Sequence, residues 1–215
     1  PTLFLLFSCG QTDEEALVES FDDYKQAIKD RDGEKLWDYQ DKKSQKYYSE
    51  LLEHIKYSDR STVEDLDDLE KGLIFMFRGL VDKIELNSFN EKQFLVKCME
   101  LDQNNTETSK MTLDDIKIDG NKASATFLVD GKSGKEDLEE MGLDEIKLYF
   151  TKEDGNWKLD INAFNTKSMK PMMDKIVDVL KKSEMGITNF SDMILMGLRV
   201  EYPDFDESLI WSPTK

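Results

Sequence analysis

Near residue 92 the hydrophobic pattern of this 215-residue chain changes period. Before that point apolar residues recur three and four positions apart, as on one face of a helix. After it they alternate, as on one face of a strand. A chain that runs through helices and then strands, with no return to helix between strands, is restricted to an α+β architecture. The alternation predicts five strands, at about 93–101, 110–118, 122–131, 144–151 and 155–162. Asp119-Gly120-Asn121 and Glu153-Asp154-Gly155-Asn156 have the composition of tight hairpin turns. Strands joined this closely must be antiparallel.

The alternation is also one-sided. One face collects Phe94, Val96, Cys98, Ala125, Phe127, Val129, Ile146, Leu148, Phe150, Trp157, Leu159 and Ile161. The other collects Ser124, Thr126, Lys147, Tyr149, Thr151, Lys158, Asp160 and Asn162. A sheet patterned this way has one packed face and one wet face, so the amino-terminal helices must cover the apolar side. Three helical stretches are available. The first carries Leu17, Phe21, Tyr24 and Ile28 and ends at Asp32-Gly33. The second holds Leu36, Trp37, Tyr47, Tyr48, Leu51, Leu52 and Ile55. The third opens at Ser61-Thr62-Val63-Glu64, which has capping-box spacing, and continues as a stripe from Leu66 to Ile84. After the strands, Met173, Ile176, Val177 and Leu180 suggest one further helix, and Phe190, Met193, Ile194 and Leu198 another.

The amino end has a different character. Leu3 to Phe7 is an uninterrupted apolar run, followed by Ser8-Cys9-Gly10 and then Gln11-Thr12-Asp13-Glu14-Glu15. Such a run ending in a small residue is the mark of a secretory signal, and it is far shorter than the roughly 20 residues that cross a bilayer. Leu6-Phe7-Ser8-Cys9 resembles a bacterial lipobox. The resemblance implies cleavage before Cys9, lipidation of its thiol, and a lipid-anchored place in the bacterial cell envelope, at the outer membrane or facing the periplasm. Phe7 departs from the strict pattern. Residues 1–8 are uncharged, so the chain from Cys9 keeps the whole net charge of −17. Anionic lipid repels such a chain, and acyl chains contributing about 0.8 kcal/mol per buried CH₂ would have to do the holding. The expected organisation is a signal-peptide remnant at 1–8, an α+β domain at 9–165, and a helical extension at 166–215 packed on it.

Helices followed by a bent antiparallel sheet resemble the NTF2-like (cystatin-like) superfamily. The segment Phe21-x-x-Tyr24-x-x-Ala27-Ile28 with Leu36-Trp37 is similar to its opening helix and turn. Ala123–Val129, Ile146–Phe150 and Asn156-Trp157-Lys158-Leu159 are similar to its closing strands. That family encloses a cone-shaped cavity between helices and sheet. Some members are isomerases or dehydratases; others bind ligands or partners. The resemblance implies a pocket lined by Phe127, Phe150, Trp157, Tyr24 and Tyr48.

Several chemistries are poorly served. The acidic balance disfavours nucleic acid, which needs clustered Lys and Arg. His54 is the only histidine, and with Cys9 lipidated Cys98 is the only free cysteine, so no His/Cys zinc set assembles. Cys98 reads as a buried small hydrophobe. Gly131-Lys132-Ser133 lacks the upstream glycine of a phosphate loop, and Asp204-x-Asp206 lacks the spacing of a calcium loop. The expected inward sheet residues include no carboxylate, histidine or lysine to serve as general acid or base; only tyrosines such as Tyr24, Tyr39, Tyr47 and Tyr48 offer hydroxyls there. No cofactor or metal is expected. Three readings follow: a container for a small apolar ligand or a docking module for a partner protein, a small isomerase or dehydratase-like enzyme, or a structural envelope component. Six of the ten methionines fall between Met169 and Met196, so the carboxy-terminal helices either adapt to a partner or close the open end of the domain.

Overall fold

The computed structural model describes residues 11–102, 110–132, 145–182, 186–203 and 205–214. Cys9 and the 1–8 segment lie outside the described residues, as does most of the polar 131–143 connection. The architecture is α+β: helices lead into a four-stranded antiparallel sheet in the order β1-β2-β3-β4, and helices follow it.

Helix α1 (Asp13–Asp30) opens on a capping box in which Thr12 and Glu15 each accept a backbone N–H of the other, and it buries Leu17, Phe21, Tyr24, Ala27 and Ile28. Asp32 caps the short α2 (Gly33–Asp38), and Asp41 caps α3 (Lys42–Tyr57). The expected second stretch is therefore two helices, divided by the turn at Tyr39-Gln40.

The expected third helix divides further. Asp59, not Ser61, caps α4 (Arg60–Glu64); Asp67 caps α5 (Asp68–Leu80); and Asp82 caps α6 (Lys83–Ser88). At each break an aspartate carboxylate accepts N–H groups of the following turn, as Asp82 does from Ile84 and Glu85 at 2.8 and 3.3 Å. This local bonding competes with helix continuation. Ile84, placed by the sequence on the apolar stripe, is 82% exposed as a result.

The largest correction concerns the expected strand at 93–101, which is helix α7 (Glu91–Asp102). Phe94 and Leu95 are buried side by side, which an alternating strand cannot do with one wet face, while Val96, Cys98, Met99 and Leu101 pack partly against the core. The start signal is a reciprocal cap. Asn90 Oδ1 accepts the Gln93 N–H at 2.9 Å, and Gln93 Oε1 accepts the Asn90 N–H at 3.0 Å.

The sheet contains β1 (Met111–Asp119), β2 (Lys122–Val129), β3 (Lys147–Glu153) and β4 (Asn156–Leu159). Asp154 and Gly155 both have positive φ, 50° and 86°, as a two-residue hairpin turn between twisted strands requires. Register pairs Ala123 with Phe150, Ala125 with Leu148, and Phe127 with Leu113, which puts these residues on the helix-covered face. A fifth rung comes from the helical half of the chain. Leu159 donates its N–H to Tyr39 O at 2.7 Å, and Asp41 donates to Leu159 O at 2.9 Å, which covers the outer edge of β4. The expected last strand stops short of Ile161 because Asp160 caps a new helix there. The opposite face of the sheet is only partly wet. Thr126 is buried against Glu145, and Thr151 lies buried beside Asp160 and Lys122.

Helical backbone then continues through α8 (Ile161–Phe164), a π-helical turn at Asn165–Met169, and α9 (Lys170–Leu180), without a break at the expected boundary near 165. Helix α10 (Phe190–Glu201) lies against α5. Gly72 makes the approach possible, because a Cβ there would stand 2.5 Å from the Phe190 ring. Asp68 fastens the junction by accepting the Ser191 hydroxyl at 2.8 Å and the Phe190 N–H at 2.5 Å. The chain closes with α11 (Ser208–Trp211) and Thr214. No helix among the described residues is long and apolar enough to cross a membrane.

Candidate functional site

Between the helical layer and the sheet lies a cavity of about 430 Å³. Its size falls in the range of small-molecule pockets, roughly 300–1,000 Å³. Each layer contributes a wall. Helix α1 supplies Phe21, Tyr24 and Ile28; α3 supplies Tyr47, Tyr48 and Leu51; α5 supplies Leu69, Leu73, Met76 and Phe77. Helix α7 supplies Cys98, Met99 and Leu101, and the sheet supplies Met111, Phe127, Leu148 and Leu159. Ile161, Phe164, Asn165 and Met169 close the fourth side from α8 and the π turn. A π turn widens the helix by one residue, and here it carries the only side-chain amide among the described lining residues, Asn165.

None of the described lining residues is Asp, Glu, Lys, Arg or His. The polar atoms are three tyrosine hydroxyls, the Asn165 amide and the Cys98 thiol. Tyr24 donates to the Met99 sulfur at 3.5 Å. The Tyr47 hydroxyl is enclosed, with the Asn165 amide beside it but outside ordinary hydrogen-bond geometry. Burial holds its pKa well above the usual phenol range, and the neighbouring carboxylates of Glu70 and Asp67 push in the same direction. The pKa of Glu70 is itself raised, first by burial and then by repulsion from Asp67 and Glu50. The uncharged cavity therefore sits beside a negative field.

Of the five residues expected to line a pocket, Tyr24, Tyr48 and Phe127 do so. Phe150 and Trp157 belong instead to the packed core, 3% and 1% exposed. Phe150 meets the Phe21 ring edge-on at 6.4 Å. Trp157 is roofed by α1, with its indole N–H donating to Asp13 O at 3.0 Å and Lys152 over its ring. Both occupy the apolar face of the sheet, but at its β3–β4 end, where α1 fills the space. The residues not anticipated are chiefly those of α5 and α7. Asn90-x-x-Gln93, with apolar residues following at helical spacing, was the signal for α7. Cys98 is half-buried in that wall. His54 lies on α3, away from the cavity, with Nδ1 2.8 Å from Ser58 Oγ.

A second, open cleft of about 490 Å³ lies between α2 and α7. Its cations are already matched: Arg31 with Glu100 at 3.2 Å, Lys97 with Glu85 at 3.0 Å, and Lys92 with Glu34. Among the described residues no group of His, Cys, Asp and Glu is arranged to hold a metal ion.

No family model, no curated protein and no solved structure matches the chain.

Proposed function

We propose that this protein is a container for a small apolar molecule, held at the bacterial envelope by a lipid on Cys9. The cavity between helices and sheet carries this reading. Protein interiors normally pack to crystal-like density, and each missing contact is destabilising. Space kept open on this scale, walled by apolar side chains from every layer, is the common form of a small-molecule site. Helices over an antiparallel sheet with such a space between them also agree with the NTF2-like resemblance, although α7 stands where the alternation predicted a strand. Catalysis of the isomerase or dehydratase kind is less favoured, because the described wall offers no carboxylate, imidazole or amine to move a proton.

Titration with 1-aminonaphthalene, a neutral fluorescent dye small enough for the cavity, tests the container. Saturable binding at one site is expected, and Cys98→Phe or Leu73→Trp, each placing a large ring in the cavity, should abolish it. Absence of saturable binding, or binding unchanged in both folded variants, would overturn the reading. Intact mass of the membrane-extracted protein tests the anchor. A chain starting at an acylated Cys9 is expected, and an unmodified Cys9 would rule it out.

A further inference from the structure

We infer that the occupant of this cavity is uncharged: a neutral amphiphile of about 14 non-hydrogen atoms, such as a long-chain ketone or alcohol, and neither a fatty-acid anion nor an alkylammonium cation. The inference rests on the container reading and narrows it to one chemical class.

Size comes first. At roughly 30 Å³ per heavy atom, about the volume a water takes in the liquid, a 430 Å³ space holds about 14 atoms. Charge decides the rest. The space opens to solvent on one side, but a carboxylate carried inside it leaves water and needs a counter-charge or several donors. No cationic side chain is among the described lining residues. Three cations bonded to lining residues or next to them in the chain are paired. Lys25, whose ammonium donates to Met111 O at 2.9 Å, is paired with Asp22 at 2.7 Å. Lys147 is paired with Glu145 at 2.5 Å, and Lys170 with Asp174 at 3.5 Å. The charges acting on the Tyr47 side of the cavity are the carboxylates of Glu70 and Asp67, which repel an anionic head.

An ammonium head meets the opposite sign of field, but it too would have to shed its water in a space whose described walls hold no carboxylate. What the wall does offer is neutral: the Asn165 amide, which lies beside Tyr47, and the tyrosine hydroxyls. A ketone or hydroxyl group can exchange its water hydrogen bonds for these. A charged group has nothing equivalent to exchange.

Competition against bound 1-aminonaphthalene at pH 8 tests this on the intact chain, with 2-tridecanone, 1-tridecanol, dodecanoate and decyltrimethylammonium, all of about the same size, as competitors. The two neutral compounds are expected to displace the dye at least tenfold more effectively than either ion. Glu70→Lys, which reverses one of the two carboxylates acting on Tyr47, should narrow the gap between dodecanoate and 2-tridecanone by at least threefold without changing the ketone. Dodecanoate or the ammonium matching the ketone in the native protein would overturn the inference while leaving the container intact. Failure of the dye itself to bind would instead remove the container reading on which it depends.

Discussion

Helices α3 and α5 each have two inner faces, and the protein treats them in opposite ways. On the carboxy-terminal side all three nitrogens of the Arg78 guanidinium group donate to backbone oxygen. Nε reaches Ile55 O at 2.8 Å, Nη1 reaches Ile210 O at 2.9 Å, and Nη2 reaches His54 O and Ser58 O at 2.9 and 2.6 Å. The charge, 4% exposed, neutralises the negative end of α3. Burial lowers its pKa to about 10, so it remains protonated at neutral pH. Phe75 stacks edge-on to Trp211 at 4.8 Å, Lys56 donates to Phe89 O at 2.5 Å, and Thr214 returns to Lys56 O at 2.9 Å. On the sheet side the same two helices face an unfilled cavity and a tyrosine hydroxyl without a hydrogen bond of ordinary geometry. One face ties the chain's end to its helical half; the other leaves room. We expect stability to be concentrated on the first, which lets the second remain open.

The contrast can be broken experimentally, and the clamp should give the largest effects. Arg78→Met takes a donor from four backbone carbonyls, of which His54 O keeps the Ser58 N–H, and a loss on the order of 3–5 kcal/mol is expected from urea unfolding. Phe75→Ala should cost a similar amount, about 3–5 kcal/mol. Losses below about 1 kcal/mol in both would mean the clamp does not carry the fold.

Gly72→Ala drives a methyl group into the Phe190 ring. It should cost about 1–3 kcal/mol through overpacking, read as a lower Tm. On the cavity side the sign reverses. Cys98→Phe fills existing space, so stability should stay level or rise by up to about 2 kcal/mol. A clear loss there would show that α7 has no room behind it.

The smallest effect concerns Glu70. Its folded pKa is raised, so the folded state holds the proton more tightly than the unfolded state does. The penalty is therefore present above the raised pKa and disappears as pH falls through the ordinary carboxylate range. Glu70→Gln should stabilise the protein at pH 7 by under about 1 kcal/mol, and the gain should vanish in acid. A gain that persists at pH 3 would assign it to something other than ionisation.

Much of the architecture was legible in the residues. The two hairpin turns, the one-sided alternation of 122–129 and 147–159, and the first helix follow from short-range chemistry that acts alone. Two things were not legible. The apolar run Phe94–Met99 fits both a period of two and a period of 3.6, and the choice rests on the Asn90–Gln93 cap rather than on the run. The long stripe from Leu66 to Ile84 is interrupted by Asp67 and Asp82, whose capping of new helices outweighs the hydrophobic pattern. The pocket was legible only in part, for a related reason. Alternation tells which face of the sheet is apolar, but not where along it the helices stop filling space. Phe127 and Phe150 look equivalent in sequence. The α1 side chains reach Phe150 and fill the space around it, while Phe127 faces the gap left by α5 and α7.

The most direct test of the account is diffraction from crystals pressurised with xenon, which settles into apolar space whatever the natural ligand is. Xenon is expected between the helices and the sheet, in contact with Leu73, Phe127 and Leu148, and is expected to be lost in Cys98→Phe crystals. A native structure in which these side chains meet one another and xenon finds no place between them would contradict it.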